Sequence, residues 1–264
     1  MPAKTNKMKE RLRLGIRAHK ALLVHQEDEI ARILGSDPEY PLKERESDRL
    51  AVSMEIAELR GLLDTCRPYV ARIKSLVAKI SDESVETASY LLFCQAIQHF
   101  EAIFLLAAEG LSIQSSELIR SICEALDLVV LFDVEGQSHS NLKKWFDGEI
   151  IENREARDSA HRFMNEGRTD PVPFGELKAG IYAALSKYSH MSYAALLESI
   201  DVYARDFDWH RLAGFHYAKS GSLPFAREMV HAMIITLKQF YLSRDQKSFR
   251  ELDKIYESAV RPRQ

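Results

Sequence analysis

The sequence predicts an all-α protein, a helical bundle with an N-terminal helical extension and extra C-terminal helices. Three observations carry that expectation. Only 11 glycines and 8 prolines punctuate 264 residues, so elements are long and turns scarce. Apolar residues recur with helical spacing along most of the chain, and strand-type alternation is missing. Leu, Ala, Glu, Lys and Arg, the better helix formers, are abundant. The expected division is a helical extension over 1–84 and a bundle core over 85–264, together one continuous globular unit.

The elements follow in order. A first helix covers about Lys7 to Leu34 and stops at Gly35-Ser36-Asp37-Pro38. A second runs from near Asp48 to Asp64. Pro68 suits the first turn of a third, which ends near Ile80. Ser81 or Ser84 caps a fourth helix that ends at Gly110, and Ser112 caps a fifth that ends at Gly136. These two carry the most apolar stretches and are joined by a short turn, so they form an antiparallel hairpin at the bundle's centre. Ser140 opens the turn "NLKKWF", and another helix follows Gly148 as far as Gly167. "RTDPVPFG" is a loop. Helices over about Glu176–Lys187 and Ser192–Ala204 come next, then an irregular aromatic stretch from Arg205. Leu223–Leu242 and Gln246–Val260 close the chain.

Composition narrows the function. Charged residues make up 28% and the net charge is −3, so no global basic field draws the protein to nucleic acid or anionic lipid. Residues 1–20 are locally basic, with seven Lys or Arg against Glu10. That is the pattern of a solvated helix whose acidic neighbour, Glu27 to Asp48, complements it. Cys66, Cys94 and Cys123 are far apart and lie in helical patterns. They form no disulfide framework or zinc motif and read as buried thiols of a cytoplasmic protein. The apolar run Leu91–Leu111 has the length of a membrane span. Gln95, Gln98, His99, Glu101 and Glu109 interrupt it, so it reads as a core helix and no membrane association is expected.

Four polar features stand out on otherwise apolar helices. In "ELIRSICEALD", Glu117, Arg120, Glu124 and Asp127 share one face while Ile119, Ile122 and Leu126 point elsewhere. Arginine between carboxylates is most simply an ion-pair ladder; functionally, Glu124 would hold Arg120 as a rigid cation for a phosphate or carboxylate. Gln95 and His99 make a second polar spot, read as a satisfied histidine at a helix–helix seam. "LSKYSHMS" crowds Ser186, Tyr188, Ser189, His190 and Ser192 into a bend. Capping accounts for the serines but does not require His190, whose imidazole titrates near working pH. Last, "EMVH" places Glu228 and His231 three apart. One such copy does not make a four-helix di-metal site, and no metal or cofactor is expected.

Arg120, Ser121 and Glu124, with Leu185, Ser186, Tyr188 and His190, make this chain resemble an uncharacterised bacterial all-helical family near the HEPN superfamily of helical nucleotide- and RNA-binding domains. Its hallmark is an Arg-Ser-x-x-Glu helix plus a Leu-Ser-x-Tyr-x-His corner, and the likeness covers about Tyr90 to Leu197. The resemblance implies a HEPN-like bundle and a homodimer. It implies RNA or a nucleotide as ligand and a possible protein partner. It implies metal-independent ribonuclease chemistry in a toxin or antiphage defence system. Arg120 would bind phosphate, Glu124 would orient Arg120, and His190 would be the general acid/base. Ser121, Ser186 and Tyr188 would contact the ligand.

The HEPN nucleases place an Arg five to seven positions before the His. Here Ala183, Ala184 and Leu185 occupy those positions before His190. The spacing occurs instead at Arg13/His19, Arg154/His161, Arg205/His210 and Arg211/His216, where independent placement would give about two such pairs. Arg205 and His210, in "RDFDWH", are the most interesting, since an acidic residue follows the Arg and a helix end is near. The alternative to a nuclease is a non-catalytic helical module that binds a nucleotide, a small ligand or a partner protein. The missing Arg and the acidic net charge favour it.

Overall fold

The computed structural model describes residues 40–165 and 222–260, apart from 78, 80, 110, 138 and 139. Every regular element among the described residues is helical. They are α1 (Tyr40–Lys74), α2 (Val85–Ala108), α3 (Ser112–Glu135), α4 (Ser140–Phe146), α5 (Asn153–Asn165), α6 (Leu223–Leu242) and α7 (Gln246–Val260). The expected helices over Lys7–Leu34, Glu176–Lys187 and Ser192–Ala204 lie outside the described residues.

The α2–α3 hairpin is the best-packed pair, as its apolar halves and short connection predict. Ser84 caps α2, its hydroxyl accepting from the Thr87 amide at 3.1 Å. Gln137 seals the same end from across the hairpin. Its carbonyl accepts from the Val85 amide at 3.0 Å, and its NH2 donates to the Glu83 carbonyl at 2.6 Å. At the far end α2 stops at Ala108, and the Leu111 amide reaches back to the Leu106 carbonyl at 2.8 Å. That bond sets where α3 begins. Ser112 is therefore its first helical residue and not its cap; Leu111 holds the cap position and offers no side-chain bond. Gly136 ends α3 with φ of 75°, a conformation that glycine adopts without steric cost.

α2 is long and apolar enough to cross a membrane by length and composition. Here it lines the interior of the bundle, with Phe93, Phe100, Ile103 and Phe104 buried and Gln95 and Gln98 turned to solvent. α3 is the centre of the packing, touching α2, α5 and α6.

The largest departure from expectation is α1, a single helix of 35 residues rather than two. At 1.5 Å per residue it is about 52 Å long. Pro68 lies inside it, where the ring removes the bond to the Asp64 carbonyl. The reason the helix continues is visible in its apolar stripe: Val52, part-buried, then Ile56, Leu59, Leu63, Cys66, Val70 and Ile73, all buried. Those steps alternate four and three, the spacing of a coiled-coil seam, and run through the proline without a break. Pro68 itself faces solvent. Both sides of the seam are fixed by charge. Arg60 and Arg67 on one flank pair with Glu101 of α2, Arg60 at 3.2 Å. On the other, Glu58 takes Arg227 of α6 with both oxygens at 3.2 Å, and Arg72 approaches Asp245 and Glu251 at 3.6 and 3.7 Å. The apolar side chains of α1 thereby belong to the same buried cluster as those of α2, α3 and α6.

α6 and α7 form a second hairpin across Ser243–Asp245. Asp245 caps α7, accepting from the Lys247 amide at 3.0 Å and from the Ser248 hydroxyl. The Ser248 bond holds the Asp245 carboxyl below its ordinary range.

Candidate functional site

The polar face of α3 divides by depth. Glu117 is exposed, Arg120 and Glu124 are part-exposed at 32% and 28% of their side chains, and Asp127 is buried at 1%. Ile119, Ile122 and Leu126 fill the opposite side, as the helical spacing requires. The face is therefore a ramp descending from solvent into the bundle, not a ladder on open surface.

Arg120 Nε donates to Glu124 Oε1 at 3.0 Å, one helical turn away. The same Oε1 accepts a second bond, from Asn153 Nδ2 at 2.6 Å. Asn153 opens α5, 29 positions along the chain from Glu124. The carboxylate is thus held by a cation on its own helix and by a neutral amide on the next. Bonds to an ionised acceptor are the stronger kind, so Glu124 and the guanidinium it orients are restrained together. Ser121 lies next to Arg120 and is part-buried.

Of the expected site residues, the structure describes Arg120, Ser121 and Glu124 and joins Arg120 to Glu124. His190, Ser186, Tyr188, Arg205 and His210 lie outside the described residues. Asn153 was not expected. Its signal in the sequence is only that of a polar residue opening a helix, and nothing local ties it to a carboxylate so far away.

His99 and His231 are both part-buried. His99 on α2 is not the satisfied seam histidine its position suggested. Its Nδ1 is buried without a hydrogen-bond partner among the described residues, and burial pushes the imidazole below its ordinary pKa, which favours the neutral ring. Burial also lowers His231, with Glu228 acting in the opposite sense. Among the described residues, no three His, Cys, Asp or Glu side chains converge on a common point. Cys66 and Cys123 are buried and Cys94 is half-buried, all as free thiols. Burial pushes the Cys66 thiol up to about 12, which keeps it protonated and unreactive.

No protein-family model, curated protein or solved structure matches the chain.

Proposed function

We propose that this chain is a HEPN-like helical protein that engages RNA, with Arg120 as a phosphate contact and Glu124 as the residue that orients it. The observation behind this reading is the Nε–Oε1 bond of 3.0 Å between them. A guanidinium gripped through Nε by a carboxylate loses rotamer freedom before any ligand arrives, so less entropy is lost on binding. An acidic chain with local cations suits RNA held at a few phosphates better than a long basic track. A homodimer and a place in a toxin or antiphage system belong to the same reading.

Cleavage is a further claim and turns on His190 as the general acid/base. The second reading, binding without turnover, is favoured by Ala183, Ala184 and Leu185 standing where a nuclease of this class carries its Arg.

Binding of the full-length protein to a fluorescein-labelled single-stranded RNA tests the first claim. Arg120→Ala should weaken it at least about ten-fold, the scale of one charge-assisted bond, and flatten its salt dependence by about one phosphate contact. Wild-type affinity in that variant, or no RNA binding by the native protein, ends the RNA reading. Incubation of RNA with the protein and a metal chelator decides between the two readings. Cleavage that disappears in His190→Ala makes the protein a nuclease; intact RNA leaves a binding module.

A further inference from the structure

Glu124 Oε1 serves donors from two helices, and the consequence extends beyond the α3 pair. An ion pair one turn apart on a part-exposed helix face is weak by itself, a few tenths of a kcal/mol, and exchanges among rotamers. A second donor on a separate element selects the Glu124 rotamer whose Oε1 faces Arg120. Asn153 is that donor, at 2.6 Å. Its own position is well determined. Ile151, two residues earlier, is buried in the core, and Ala156, one turn later, packs at 1% exposure. Asn141 of α4 donates to Glu155 Oε1 at 2.9 Å and approaches both oxygens of Glu135 at 3.3 and 3.5 Å. Polar contacts therefore run from α3 through α4 and α5 back to α3, ending at Arg120.

We propose that Asn153 is a positioning residue for Arg120, so that the seating of α5 on α3 sets the competence of the phosphate contact. This rests on reading Arg120 as that contact. A neutral amide suits the role, because it restrains Glu124 without competing with Arg120 for the negative charge. Lysine or arginine at position 153 would draw the carboxylate away from Arg120. Alanine would leave Arg120 paired with a carboxylate free to rotate. Loss of α5 from its seat, by a partner or by substitution, would have the same effect as alanine.

The test is a double-mutant cycle on the full-length protein, reading affinity for labelled single-stranded RNA. Asn153→Ala is expected to weaken binding about three- to ten-fold, the scale of one lost hydrogen bond to a charged group acting at second hand. In an Arg120→Ala background it is expected to cost nothing further, because the group it positions is gone. Wild-type affinity for Asn153→Ala overturns the proposal. So does an equal loss in both backgrounds, which would mean a general disturbance of the fold. Should Asn153→Ala fail to fold, Asn153→Ser takes its place with the same expectations, since its shorter polar side chain cannot reach Glu124. If Arg120→Ala itself binds RNA like the native protein, the RNA reading has failed. The positioning claim is then decided by the Arg120 Nε–H signal in 15N spectra. Its exchange with water should quicken at least about ten-fold in Asn153→Ala, and an unchanged rate overturns the claim.

Discussion

Arginine is used in opposite ways on the two sides of this bundle. Along both flanks of α1, each of these guanidinium groups joins different helices: Arg60 and Arg67 link α1 to α2, Arg227 links α6 to α1, and Arg72 links α1 to α7. Arg244, just past α6, is the extreme case. Its Nε pairs with Glu86 at the start of α2 at 3.0 Å, its Nη1 donates to Asp133 near the end of α3, and its Cζ lies over the Phe240 ring, 4.2 Å from the centroid. On the α3–α5 side Arg120 pairs with Glu124 one turn along its own helix, and that carboxylate also reaches across, to Asn153. Cross-helix arginines hold the bundle together. An ion pair one turn along a helix adds little by itself to the assembly of helices.

The sharpest way to break that contrast is Arg244→Ala, with the largest expected effect. Asp133 is only 10% exposed, and burial raises its pKa despite the attraction of Arg244. Removing the guanidinium leaves a buried carboxylate beside Glu86 without its cation, and the cost in urea unfolding should be about 2–3 kcal/mol at pH 7. The pH dependence has a definite sign. An acid whose folded pKa is raised costs stability as pH climbs from its unfolded value, about 4, through the higher folded one. Without Arg244 the folded value rises further. The deficit of Arg244→Ala should therefore be largest at neutral pH and shrink as pH falls toward 4. A deficit independent of pH would assign the loss to packing on Phe240 instead.

Pro68→Ala tests the seam, with an effect of intermediate size and opposite direction. Proline inside a helix costs about 3 kcal/mol relative to alanine, but it also restricts the unfolded chain, which offsets part of that cost. The net expectation is a gain of about 2 kcal/mol, read as a higher urea midpoint with an unchanged m-value. A loss would mean that α1 depends on a bend at this position.

Pro68 also shows where reading the sequence reached its limit. Helix ends set by local chemistry were legible: Ser84, one of the two caps expected, at the start of α2, Gly136 at the end of α3, and the bounds of α6 and α7. Those signals act within one turn of the chain. Whether α1 breaks at Pro68 depends on whether Leu63, Cys66, Val70 and Ile73 find partners on other helices, and no local pattern says so. The same holds for the site. Arg120 and Glu124 were legible because a helical turn brings them together. Asn153 and Arg244 were not, because their partners are supplied by packing across tens or hundreds of positions. Position 112 failed for a related reason, since the reversal after α2 determines which residue takes the cap.

The smallest expected change in stability is the one that sharpens the comparison most. The Arg120–Glu124 ion pair, one turn apart with both side chains about one-third exposed, is worth less than about 0.5 kcal/mol by itself, and Arg120→Ala should show a correspondingly small loss in the same unfolding experiment. Glu124 keeps its bond from Asn153, so it is not stranded. Near-native stability combined with a large loss of RNA affinity would separate Arg120 from the structural arginines by measurement. A loss comparable to that of Arg244→Ala would place Arg120 among them, with the α3–α5 side held together by charge in the same way as the rest of the bundle.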